Sequence, residues 1–136
     1  MVMQENYMTL DEKKILTKTE EIVLLDDNIV YCRVLPGKLM SLEEGKVNIQ
    51  AISKIANGKR VSVVVDIRES KGVTKECRKY FASKEVAEVQ SACALIIESP
   101  FSRLIGNFFL GLNKPLFPTK LFNDEHEAIN WLKQFG

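Results

Sequence analysis

Asp66, Arg68, Ser70 and Thr74 lie within one short polar stretch, Asp66-Ile67-Arg68-Glu69-Ser70-Lys71-Gly72 and the residues just after it. A carboxylate there can act as a general base or anchor a loop, and an arginine can hold a carboxylate or phosphate through two parallel hydrogen bonds. Asp66 closes an apolar run, so anchoring is the first role expected of it, while Arg68 is placed to project from the loop. Nothing elsewhere completes a catalytic set. His126 is the only histidine, and no Gly-x-Ser-x-Gly turn sets a nucleophile before it, so a solvated or capping role is expected. Cys32, Cys77 and Cys93 are far apart and lack the close pairs of a zinc site; they read as buried, reduced thiols with no metal. There is no Walker loop or dinucleotide fingerprint, and no cofactor is expected. Lys71, Lys75, Arg78 and Lys79 are interspersed with Glu69 and Glu76, the pattern of a solvated helix face.

The element that must position this stretch is Val61-Ser62-Val63-Val64-Val65-Asp66-Ile67, rich in β-branched residues and apolar almost throughout. Such a run suits an interior strand covered on both faces. In open α/β sheets, ligands gather beyond the carboxyl ends of such strands. Upstream, Glu21–Leu25 and Ile29–Leu35 flank the turn residues Asp26-Asp27-Asn28 and read as an antiparallel hairpin. Residues 1–12 read as a loose N-terminal arm. Ser41-Leu42-Glu43-Glu44 is a capping box, and Val47, Ala51, Ile52 and Ile55 form the stripe of a helix that ends at Asn57-Gly58. Gly45 inside that helix costs about 1 kcal/mol relative to alanine.

After the polar stretch, Thr74 and Ser83 each cap a short helix, Cys93–Ile97 is a second continuously apolar strand, and Ser99-Pro100 opens a further helix. Thr119–Phe122 is a short strand near an edge. Asp124–Glu127 offers a second capping box, and Ala128, Ile129, Leu132 and Phe135 line the last helix. The order ββ-α-β-α-β-α-β-α gives an α/β fold, a mixed and mostly parallel sheet with an N-terminal β-hairpin.

A chain of 136 residues is expected to be a single domain over residues 1–136. Its 19 basic and 18 acidic residues leave a net charge of +1, which provides no overall field for nucleic acid or an anionic membrane. No apolar run approaches the ~18 residues of a membrane span. The first residues carry no signal-peptide core, so a cytoplasmic location is expected.

One helix is anomalous. Phe101, Leu104, Ile105, Phe108 and Leu112 recur at helical spacing as a core stripe, but Phe109 and Leu110 turn outward. A one-sided core does not require them. Phe101, Arg103, Asn107, Phe108, Phe109 and Leu110 are therefore read as an interface or a ligand groove, and a homodimer would place them near its two-fold axis.

Together these segments resemble the STAS superfamily, the fold of the sporulation anti-sigma-factor antagonists, and within it small bacterial single-domain proteins of unassigned function. The resemblance rests on Val63-Val64-Val65-Asp66 leading into a loop and helix, and on Ala94-Leu95-Ile96-Ile97. It extends to Ser102-Arg103-Leu104-Ile105-Gly106-Asn107-Phe108-Phe109, Phe117-Pro118-Thr119-Lys120-Leu121-Phe122 and Glu127-Ala128-Ile129-Asn130-Trp131-Leu132. It implies a STAS-like domain and a non-enzymatic regulatory role exercised on a protein partner. Regulatory members carry an Asp-Ser-Ser-Gly-like loop whose serine is phosphorylated. Here Ser70 and Gly72 stand near that place without the Asp-Ser pair, which makes Ser70 and Thr74 the candidate acceptors of a partner loop that also holds Asp66 and Arg68. The superfamily is also similar in architecture to the CRAL-TRIO lipid carriers, which implies a second expectation, a carrier or sensor of an apolar small molecule held between the Phe101–Leu112 helix and the sheet. An enzyme comes third. A cavity lined by phenylalanines favours the carrier, whereas a flat apolar patch favours the interaction module.

Overall fold

A computed structural model describes residues 2–3, 7–26, 28–100, 102–105 and 114–135. The chain opens with five strands, Val2–Met3 (β1), Tyr7–Asp11 (β2), Lys14–Thr17 (β3), Glu20–Asp26 (β4) and Ile29–Val34 (β5), each antiparallel to the one before. Three of their turns use a polar side chain that accepts from the backbone just ahead. Lys13 N donates to Asp11 Oδ1 at 2.7 Å, Glu20 N to Thr17 Oγ1 at 3.0 Å, and Asn28 N to Asp26 Oδ1 at 2.8 Å. The expected hairpin is β4–β5. The loose arm expected over residues 1–12 needs correction, because Tyr7–Asp11 pairs with Lys14–Thr17. The Asp11 turn folds it back, and Tyr7 packs against the main core.

Leu39–Met40 (β6) leads into Leu42–Ile55 (α1). Ser41 caps that helix as expected: its Oγ accepts from Glu44 N at 3.2 Å while Glu44 Oε1 accepts from Ser41 N at 2.9 Å. Asn57 and Gly58, with φ of 55° and 77°, provide the left-handed exit. Val61–Asp66 (β7) follows, then Gly72–Val73 (β8), which pairs with β6 in a small second sheet. Lys75–Phe81 (α2) and Lys84–Ala87 (α3) are capped by Thr74 and Ser83, and Gln90–Ile96 (β9) comes next. Residues 100 and 102–105 are helical, and their start is held by Glu98 N and Ser99 N donating to Ser102 Oγ. Thr119–Phe122 (β10) and Glu125–Leu132 (α4) complete the order. Asp124 caps α4 by accepting from His126 N at 3.0 Å, a bond to the second helical residue in place of the expected box.

The main sheet runs β1-β2-β3-β4-β5-β7-β9-β10, antiparallel up to β5 and parallel beyond it. β7 lies between two parallel neighbours, the interior place its apolar run demands. Its side chains alternate between two layers. Val61 and Val63 join Ile15, Ile22 and Val30 beneath Ile49 and Ile52 of α1. Val64 joins Ala92, Ala94 and Ile96 beneath Ala128 and Leu132 of α4. Gly45 is where α1 meets α2: a Cβ there would lie 2.5 Å from Cys77 Sγ and 3.3 Å from the Phe81 ring. The propensity lost at that glycine is exchanged for a close helix–helix approach.

Candidate functional site

Among the described residues, the layer between the sheet and the α1–α2 pair leaves a cavity. The strand residues facing it are small for that gap, with Cys32, Val34, Val65 and Cys93 forming the floor of a cavity of about 320 Å³. This volume lies at the low end of the ~300–1,000 Å³ of small-molecule sites. Ile49 and Ile52 of α1 and Phe81 of α2 close it on the other side, with Phe117 at its edge. Its rim is formed by Ser70–Val73 together with Leu104 and Ile105.

One charged-type side chain enters this apolar wall from the sheet. Glu20 begins β4 at an inward-facing position, in phase with Ile22, and is buried. Its backbone is fixed by Thr17, which accepts from Glu20 N and donates through Oγ1 to Asn48 Oδ1 at 2.6 Å. Asn48, buried in α1, donates in turn to Thr19 Oγ1 at 2.8 Å, so the turn before β4 is tied to the helix above it. The Glu20 carboxyl bonds the Cys32 thiol, its diagonal neighbour across the β4–β5 pair, and its Oε1 has no hydrogen-bond partner. Burial pushes its pKa from 4.5 up to about 7, with the Cys32 contact pulling weakly the other way. Burial likewise pushes the Cys77 and Cys93 thiols up to about 12 and the Cys32 thiol well above its ordinary value. These cysteines are free and buried, as the sequence suggested.

The predicted loop residues are near one another but serve different ends. Asp66 is buried at the end of β7. Its Oδ1 accepts from Arg68 N at 3.1 Å and Arg68 Nε at 3.0 Å, and its Oδ2 from Arg68 Nη2 at 2.7 Å and Tyr31 Oη at 3.2 Å. Burial raises the Asp66 pKa, but the Arg68 hydrogen bonds and charge outweigh it and hold the carboxyl below its ordinary value. Arg68 was expected to project from the loop; instead its guanidinium folds back, because the fork matches a carboxylate two residues away. Ser70 is buried on the cavity rim and its Oγ accepts from Gly72 N at 2.9 Å, so it anchors a turn rather than displaying a hydroxyl. Thr74 Oγ1 accepts from Cys77 N at 3.2 Å as the cap of α2. Arg103 is exposed. Phe101, Asn107, Phe108, Phe109 and Leu110 lie outside the described residues.

Sequence reasoning passed over Glu20 and Asn48. For Glu20 the signal was present: alternation carried back from Ile22 puts it on the inward face. Asn48 carries no such mark, since its partners come from a turn distant in sequence. Among the described residues, no cluster of three or more His, Cys, Asp or Glu side chains could hold a metal ion. No helix among them is long and apolar enough to cross a membrane.

The fold has a solved counterpart whose fold is SpoIIAA-like. An uncharacterised DUF3478-family protein from Shewanella loihica PV-4 with a SpoIIAA-like fold matches 97% of this chain over 99% of its own length. The TM-score is 0.58 and the identity 12%, a likeness of fold. A protein with unknown function from Arthrobacter sp. FB24 is 22% identical over 82% of this chain and 97% of its own, with a TM-score of 0.30. The chain itself belongs to the family described as domain of unknown function DUF7793, whose model matches residues 23–136. No curated protein matches it.

Proposed function

We propose that this chain is a non-catalytic binding module whose ligand is an apolar small molecule held between the sheet and α1–α2. The supporting observation is the cavity of about 320 Å³, walled mostly by apolar side chains, aliphatic ones together with Phe81 and Phe117. The carrier expectation placed its ligand under the Phe101–Leu112 helix, of which only Ser102–Ile105 lie among the described residues; Leu104 and Ile105 reach the rim of this cavity. The polar loop beyond β7 supports a non-catalytic reading, because Asp66 is saturated by Arg68 and Tyr31 rather than held ready for a substrate. A regulatory role through a protein partner remains compatible. Leu39, paired with Gly72 of the rim, and Leu104 are both more than half exposed, so a partner seated there would sense whether the cavity is filled.

Naphthalene serves as a probe of the cavity. In a methyl-resolved NMR titration it should shift Ile49, Ile52 and Val65, and it should raise the melting temperature. Val65→Phe, which adds a ring to the floor, should abolish both effects while leaving the protein folded. Shifts confined to surface methyls, or undiminished in Val65→Phe, would defeat the cavity reading.

A further inference from the structure

We infer that Glu20 is the recognition point of this cavity, and that the ligand it selects is an apolar molecule bearing a hydroxyl group. The inference rests on the cavity reading and adds a head-group chemistry to it. Glu20 is buried, lines the cavity, and has a carboxyl oxygen, Oε1, without a partner. Buried polar atoms are nearly always bonded, and the exceptions call for an explanation. Two other polar side chains of the lining are bonded: Asn48 to Thr17 and Thr19, and Ser70 to Gly72. An orphan acceptor beside an apolar void is completed by a ligand that brings one donor and otherwise hydrocarbon.

The head group follows from what faces the site. A carboxylate would set a second acceptor and a like charge against Glu20. An ammonium would bring a full charge into an apolar space whose lining already includes the cation of Lys71. A hydroxyl meets neither objection and donates without importing charge into a low-dielectric space. Besides Lys71 and Arg78 of the lining, Glu20 acts on Cys32 of β5, Cys93 of β9 and Cys77 of α2, all held as thiols through the neutral range. Glu20 therefore changes charge near neutrality among these thiols, with a pKa of about 7. A hydroxyl bonds the ionised carboxylate more strongly than the neutral acid, so affinity for it rises across that pH.

The test crosses ligand head group with side chain, using heptanol, octane and octanoate as chains of matched length and calorimetry on the full chain. Glu20→Met removes both oxygens at similar volume and is expected to fold, since apolar replacement of a buried charge is commonly neutral or stabilising. It should weaken heptanol binding about tenfold and leave octane binding unchanged or stronger. Glu20→Gln keeps an acceptor; it should retain an intermediate affinity for heptanol and lose the rise with pH seen in the parent. Equal changes for heptanol and octane would overturn the assignment of Glu20 and leave the cavity reading standing. Tighter binding of octanoate, insensitive to Glu20→Met, would also overturn it and place the head group at the rim with Lys71. If none of the three chains binds the parent protein, both readings fall.

Discussion

Glu20 and Asp66 are both buried carboxyls, yet they pull stability in opposite directions with pH. Glu20 has a folded-state pKa raised from 4.5 to about 7, so its folded form binds the proton more tightly than the unfolded chain does. Its contribution is fully present below the unfolded value and is lost as pH rises through about 7. At about 1.4 kcal/mol per unit, that loss amounts to about 3 kcal/mol. Denaturant titrations of the parent and Glu20→Gln should therefore diverge between the two pKa values, with the variant lacking the downward slope. Asp66 is held below 3.8 by Arg68, so its contribution is present above that value and is lost only as pH falls further. The two effects occupy separate pH windows and can be read from one series. Of this chemistry, the anchoring role of Asp66 was legible in the sequence, since a carboxylate at the end of a buried strand has few other uses. The recoil of Arg68 was not, because it depends on backbone direction across two residues. Glu20 was overlooked because a charge at the start of a strand looks like a boundary, and its inward phase emerges only when the strand is counted back from Ile22.

Elements were most legible where their signals are local. Ser41, Thr74 and Ser83 cap the helices that follow them, since each cap needs only its own hydroxyl and an amide within three residues. Asn57-Gly58 ended α1 for the same reason. Tyr7–Asp11 was missed because its strand character is conferred by the turn at Asp11 and by its neighbour, rather than by its own composition. Gly45 illustrates a propensity overridden by packing. Alanine there would gain about 1 kcal/mol of helix propensity, but its Cβ would collide with the buried Cys77 sulfur. Overpacking of this kind costs roughly 1–3 kcal/mol, and the Phe81 ring on the same side limits any relief, so the cost prevails. Gly45→Ala should lower the denaturation midpoint, and adding Cys77→Ala should recover much of the loss. A Gly45→Ala protein at least as stable as the parent would show that α1 and α2 part freely.

At the scale of the whole molecule, the interior place of β7 is what joins the two helical layers. Val64 is fully buried between its parallel neighbours and under α4. Val64→Asp should cost several kcal/mol, since an unpaired carboxylate would be stranded there; a melting temperature within a few degrees of the parent would contradict this placement. That interior place was legible from the nearly continuous apolar run. The length of the antiparallel half was not, because short, half-buried strands such as Lys14–Thr17 carry too few residues to show a period. The sheet nevertheless divides unequally in sequence distance. From β2 to β5 every pairing joins nearest neighbours along the chain, and α1, which follows after the short β6, brings the lid that Ile15 and Ile22 need. The parallel pairings must each wait for an intervening helix. Local contacts close quickly and distant ones slowly, so the segment ending at Ile55 can gather while the rest of the chain is still leaving the ribosome. Pulse-labelled amides of β3–β5 should then become protected before those of β9 and β10. Birth order and spatial order would coincide, with the sheet growing outward from its first-made hairpins toward the β10 edge.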